Sequence, residues 1–206
     1  TMHDILASCA AECSMNSAVY GMDDGITYPF LMRKMEGAAA FIDRLMTWEG
    51  AAFKAVGGRF AGIDITSAQS AMADQSIELT SKQSGVTHLK RDDMKWAGLT
   101  IRTPYAECSA VDDDVQNGIY ITMTDLPALD DVQAGRWARG LLLHNNRKAE
   151  KLTLSMEFNP GLSAMARIDI DSTTGTDGMW IVDEAAHDFI AGKSSATLLR
   201  CIETIR

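Results

Sequence analysis

The chain lacks any run of apolar residues long enough to cross a bilayer. Stretches such as Gly140–Leu143 and Met179–Val182 fall far short of the ~20 residues that a spanning helix needs. Direct membrane insertion is therefore not expected. No secretory signal opens the sequence, because Thr1–Cys13 reads as an amphipathic helix carrying acidic residues. Thr1 in place of Met is read as the start of a chain trimmed, processed or excerpted from a longer one. Basic charge is also scarce, with 19 Lys and Arg against 28 Asp and Glu and a net charge of −9. A protein that grips a nucleic-acid backbone needs a concentrated basic surface, so that class is set aside. The acidic balance suits a solvated surface, or one that lets DNA pass without holding it.

Cysteine is rare too. Cys9, Cys13, Cys108 and Cys201 fall at no recognised metal spacing, and free buried thiols are the ordinary state of such residues. Cys9 and Cys13 share a helix face at i,i+4, so an iron–sulfur or zinc site and a disulfide stand as the alternatives. The expectation is no metal and no cofactor. Signatures of catalysis are missing as well: there is no Gly-x-Ser-x-Gly elbow and no His-Glu-x-x-His pair. Gly57-Gly58 lacks the Lys-Ser/Thr of a phosphate loop. No internal repeat is visible at the repeat-protein periods.

What is present describes an ordinary folded protein. With 206 residues, 46% of them hydrophobic and 23% charged, the chain can bury a core as one large domain or two small ones. Thr1 and Asp4 form a capping-box-like start, and Met2, Ile5, Leu6, Cys9, Ala10 and Cys13 recur at helical spacing. Gly21–Gly25 is turn-rich, and Tyr28–Met32 reads as extended around Pro29. A second helix carries Ala38, Phe41, Ile42, Leu45, Met46 and Glu49 on one side and stops at Gly50. Ala52–Val56, Gly57-Gly58 and Arg59–Ile63 form a hairpin signal. Residues 1–66 thus predict a small α/β module.

Residues 67–206 predict a polar connector and then an antiparallel β-barrel-like domain with a packed helix, an α+β chain overall. The connector, residues 67–95, holds one expected strand near Ser76–Thr80. A strand is expected at Leu99–Tyr105, with Pro104 at its end. Asp112-Asp113-Asp114 reads as a solvated loop, because the spacing of a calcium loop is absent. The third helix runs from Asp130 to about Ala149 with Ala134, Trp137, Ala138, Leu141, Leu142 and Asn145 on one face. Arg136, Arg139, Arg147 and Lys148 are expected in solvent. Leu152, Leu154, Met156 and Phe158 alternate with polar residues, Asn159-Pro160-Gly161 turns the chain, and Ala164–Ile170 continues the alternation. Further strands at Met179–Val182, Ala185–Ile190 and Ala196–Thr204 follow the Thr173–Gly178 loop, and short turns between them imply an antiparallel sheet.

Three stretches resemble the phage late control gene D family, the hub proteins of contractile tails, and the equivalent part of type VI secretion spike proteins. Thr1-Met2-His3-Asp4-Ile5-Leu6 resembles the family's Thr-Val-x-Asp-Ile-Leu start of its second domain. Tyr28-Pro29-Phe30-Leu31, Phe41–Leu45 and Glu49–Phe53 resemble its helix and hairpin. Leu152–Phe158, Pro160-Gly161-Leu162, Trp180-x-Val182, His187 and Thr197-Leu198 resemble its closing strands. Their order and spacing over nearly the whole chain carry the likeness, while residues 68–96 match poorly.

The resemblance implies a baseplate hub, a homotrimer and late protein of the virion, assembled in the bacterial host cytoplasm and placed at the tail tip. Such a hub would hold a central spike or tip protein below and meet the tail tube protein above. It would reconcile a three-fold spike with a six-fold tube by presenting two similar barrels per chain. Genome DNA would pass through without specific binding. The family's N-terminal barrel, which precedes the opening helix, is not part of this sequence.

The enzymatic alternative is a cell-wall-degrading tail hydrolase. It would start from His187, flanked by Asp183, Glu184 and Asp188, or recruit Glu36 and Glu49. Nothing in the sequence pairs these carboxylates, and no catalytic residue is assigned. His3, His88 and His144 lie in unrelated contexts, and Trp48, Trp96, Trp137 and Trp180 are spaced as packing residues.

Overall fold

A computed structural model describes residues 1–79, 85–173 and 175–206. Its first helix, α1 (Met2–Glu12), begins at the expected capping box: the Thr1 hydroxyl accepts from the Asp4 amide and the Asp4 carboxylate binds back. β1 (Asn16–Tyr20) follows, whereas Tyr28–Met32, expected to be extended, forms no strand. The β1 residues alternate poorly in polarity, which hid the strand. α2 (Ala38–Trp48) ends where Gly50 adopts φ +72°, a conformation that suits glycine. β2 (Ala51–Val56) and β3 (Arg59–Asp64) pair through a two-residue turn whose glycines, Gly57 and Gly58, both have positive φ. β1 joins them parallel to β3, in the order β1-β3-β2.

The chain continues through α3 (Ile65–Ser70), β4 (Gln75–Leu79) and β5 (Val86–Lys90). The connector expected at 67–95 therefore contains a helix and a second strand as well as the anticipated one, whose last residue, Thr80, lies outside the described residues. β6 (Trp96–Arg102) stops short of Pro104 and lies between β7 (Glu107–Val111) and β8 (Ile119–Met123). α4 (Asp131–Asn146) is followed by a 3-10 turn, Arg147–Ala149, and then by β9 (Glu150–Glu157), β10 (Arg167–Ser172), β11 (Gly178–Asp188) and β12 (Lys193–Arg200). Within the expected Thr173–Gly178 loop, Thr174 lies outside the described residues.

Contacts divide the chain into two compact units. Unit one is Thr1–Ser67, Trp96–His144 and Ile205–Arg206; unit two is Ala68–Lys95 and Asn145–Thr204. Residues 67–206 are shared between the units. The reason is burial. Leu99 and Ile101 of β6 and Trp137 and Leu142 of α4 enter the core built by Leu6, Ile42, Leu45 and Met46. Apolar area removed from water, and not order along the chain, defines a unit. α4 thus packs in unit one.

Unit two is one six-stranded sheet, β4-β10-β11-β12-β9-β5. All six strands contribute to one apolar cluster that includes Ile77, Leu154, Ile168, Trp180 and Leu198, so the sheet curls around its own core. The pairings are antiparallel except β4 with β10. β9 and β10 are consecutive without being neighbours. Leu162, 0% exposed, plugs the core in their connection, which carries the chain across the sheet in place of a tight turn. Met179–Val182 and Ala185–Ile190, read as separate strands, form most of the single long β11, with a bulge between Val182 and Glu184.

Candidate functional site

His187 and its flanking carboxylates are the residues where chemistry was sought. β11 and β12 place His187 opposite Ser194, and the imidazole Nδ1 lies 2.8 Å from the Ser194 Oγ. That hydroxyl also accepts from the Asn159 amide at 2.8 Å. The contact therefore ties the β11–β12 hairpin to the end of β9. Ser194 is itself buried, 1% exposed. Phe158 and Phe189 flank the imidazole, with ring centroids 5.6 and 6.4 Å away.

The carboxylates are occupied elsewhere. Asp188 accepts from the Ile190 and Ala191 amides, both at 2.9 Å, and closes the hairpin turn. Asp183 lies 3.7 Å from Arg147, and Glu36 is paired with Arg44. Glu184 lines a shallow depression with Thr153, Ser195 and Thr197, among other small residues. This arrangement fixes a hairpin; it does not set two carboxylates across a cleft in the way glycoside hydrolysis needs.

Glu49, placed by the sequence on a helix face and among the carboxylates a hydrolase could recruit, is the centre of a polar network. Its side chain is 4% exposed. It accepts from Arg136 Nε at 3.1 Å and Nη2 at 3.3 Å, and from the Trp137 indole at 2.6 Å. Burial, and next the Glu49 charge, push the Tyr28 phenol well above its usual range. The Trp48 and Trp137 rings meet at 4.7 Å, and Arg44 stacks 4.5 Å over Trp48. These groups join the end of α2 to α4 inside unit one. The signal in the sequence was an acidic residue on an otherwise apolar stripe.

Three expectations of solvation are corrected, the first being Arg136, whose side chain is 23% exposed and paired with Glu49. Arg147 is only 3% exposed, because the helix ends one residue earlier and the 3-10 turn folds it inward. Asp112 is 4% exposed and bridges to Ile205, while Asp113 pairs with Arg206. The return of residues 205–206 to unit one covers this loop, a long-range event that no local pattern announces. The four cysteines are free: Cys9 is buried, Cys13 exposed, and Cys108 and Cys201 intermediate. Among the described residues no group of three His, Cys, Asp or Glu side chains is arranged to hold a metal.

The fold is shared with tail proteins of known structure. A tail protein from Neisseria meningitidis MC58 superposes with a TM-score of 0.75 at 11% identity, over 97% of this chain and 67% of that one. A prophage MuSo2 tail protein from Shewanella oneidensis gives 0.74 at 10% identity, over 97% and 65%. A prophage tail protein from Listeria monocytogenes EGD-e gives 0.57 at 12% identity, over 96% and 65%. The chain thus spans about two thirds of the length of each. No protein-family model and no curated protein sequence matches it. The likeness is one of fold, and the α+β architecture is that of these tail proteins.

Proposed function

We propose that this chain is a structural component of a bacteriophage tail, a hub of the late control gene D type that joins the six-fold tube to a three-fold central spike or tip. The observation that carries the reading is a fold likeness spanning 97% of the chain with two tail proteins. It coincides with the motifs of α1, α2 with its hairpin, and β9–β12. On this reading the protein is a virion component of the tail tip or baseplate, made late and assembled in the host cytoplasm, and it is not an enzyme. Its partners are two further copies of itself, the tail tube protein and the spike.

Physical arguments support the assignment. The edge strands of the unit-two sheet, β4 and β5, are five residues each, and short edges suit a module that meets neighbours in a closed ring without open-ended pairing. The −9 charge would repel DNA phosphates and let a genome slide past. The test is stoichiometry. Mass measurement of an assembled tail end, or quantitative cryo-EM of it, should show three copies, and any other number overturns the hub reading.

A further inference from the structure

The turn between β7 and β8 carries a reactive pair. Asparagine occurs as Asn16, Asn117, Asn145, Asn146 and Asn159, and of these Asn117 alone precedes a glycine. An asparagine side chain can be attacked by the backbone nitrogen of the next residue. A side chain on that residue crowds the approach, and glycine has none.

The structure leaves both reacting groups free. Asn117 lies exposed in the turn. Among the described residues, neither its side-chain amide nor the Gly118 N–H takes a hydrogen-bond partner. The other asparagines are held. Asn145 Nδ2 donates to the Met94 carbonyl at 3.0 Å, Asn146 is 1% exposed, and Asn16 pairs with Arg59 in the β1–β3 ladder. Asn159 donates to Gln75 and is followed by Pro160, which has no N–H to lose. Asp24-Gly25 and Asp177-Gly178 also offer glycine nitrogens, but a carboxylate resists a nucleophile that an amide accepts. Packing, in turn, demands the glycine. A Cβ on Gly118 would come within 2.5 Å of Val115 Cγ1 and 2.8 Å of the Ala97 nitrogen. The fold therefore keeps the reactive pair in place.

We propose that Asn117 is a site of self-modification, where deamidation through a cyclic imide re-links the main chain just before β8. The Gly118 nitrogen gives its proton to water and bonds to the Asn117 Cγ. The bond from Cγ to the side-chain nitrogen breaks, and that nitrogen takes up a proton and leaves as ammonia. Water then opens the imide at either carbonyl. Opening at Cγ leaves aspartate; opening at the backbone carbonyl leaves isoaspartate, with the chain running through Cβ and Cγ. Asparagine and water become a carboxylic acid and ammonia, so no oxidant is consumed. Either product adds a negative charge close in sequence to Asp112-Asp113-Asp114, and isoaspartate also lengthens the main chain by one carbon. β8 is an edge strand held by β6, with an irregular register between Trp96 and Gly98. Its first pairing, Trp96 with Ile119, is the one that the longer chain should loosen. This inference is independent of the tail reading.

The test incubates the full folded chain at neutral and mildly alkaline pH and follows its peptides by mass spectrometry. Asn117 should convert about tenfold or more faster than any other asparagine, a barrier difference of about 1.4 kcal/mol. The rate should rise with pH, because the Gly118 nitrogen must lose its proton, and isoaspartate should appear in the Asn117 peptide. Chain unfolded in urea should convert Asn117 at a rate within about tenfold of the folded one, since folding leaves both groups free. Hydrogen exchange at residues 119–121 should quicken as the protein ages, and Asn117→Gln should abolish that change. Earlier conversion at another asparagine, a folded rate far below the unfolded one, a product without isoaspartate, or an aged β8 as protected as a fresh one would each overturn the proposal.

Discussion

The two units bury their cores by different means. Unit one packs α1, α2 and most of α4 with two three-stranded sheets, and close approach requires small residues and matched polar groups. A Cβ on Gly140 would run into the Trp48 carbonyl oxygen and the Gly50 amide, and Glu49 enters the interior with Arg136 as its counter-charge. Unit two needs neither device at its centre. Alternation along six strands delivers Leu152, Leu154, Ile168, Ile170, Trp180 and Leu198 to one cluster. A helical core is thus sensitive to single backbone contacts and ion pairs, whereas a curled sheet is sensitive to the volume of its largest side chains.

The sharpest way to break this comparison is Trp180→Ala, which removes a 0% exposed indole from unit two. It should cost about 4 kcal/mol. Chemical denaturation should report that loss, and hydrogen exchange should rise in β9–β12 more than in α1 and α2. Equal loss of protection everywhere would mean that the units do not differ in this way. Gly140→Ala is the counterpart in unit one, expected to cost about 3 kcal/mol by overpacking, with Gly175→Ala, which meets open space at φ +82°, as a milder control. Similar midpoints for the two glycine variants would refute the close-contact argument.

Glu49→Gln comes next. It keeps the shape but leaves Arg136 without its counter-charge, and we expect about 2 kcal/mol of destabilisation. Tyr28→Phe should cost less, because the phenol stays neutral through the physiological range and contributes no charge. His187→Ala should lose about 1 kcal/mol from the Ser194 contact. Purified protein, before and after the change, should release no fragments from peptidoglycan; cleavage abolished by the substitution would restore the hydrolase alternative. The smallest effect concerns labelling. Cys13, exposed, should alkylate first, while Cys9, buried and with its thiol pushed up, should lag, as mass spectrometry after timed quenching would show. Cys9 reacting as fast as Cys13 would contradict the burial.

Local chemistry alone was enough to specify much of this protein. The Thr1–Asp4 cap, the Gly50 stop, the Gly57-Gly58 turn and the alternation of β9 depend on interactions within a few residues, so they are legible without the fold. His187 also stood out, as did its lack of catalytic company. Tertiary structure decided the rest. It moved Trp96–His144 into the core of the first module, set β4 and β5 at opposite edges of one sheet, and parted β9 from β10. It also folded Arg147 and Asp112 inward and gave Glu49 its partner 87 residues away. These outcomes depend on which distant apolar surfaces meet, and periodicity, which records a residue's side of its own helix or strand, carries no information about what that side will face.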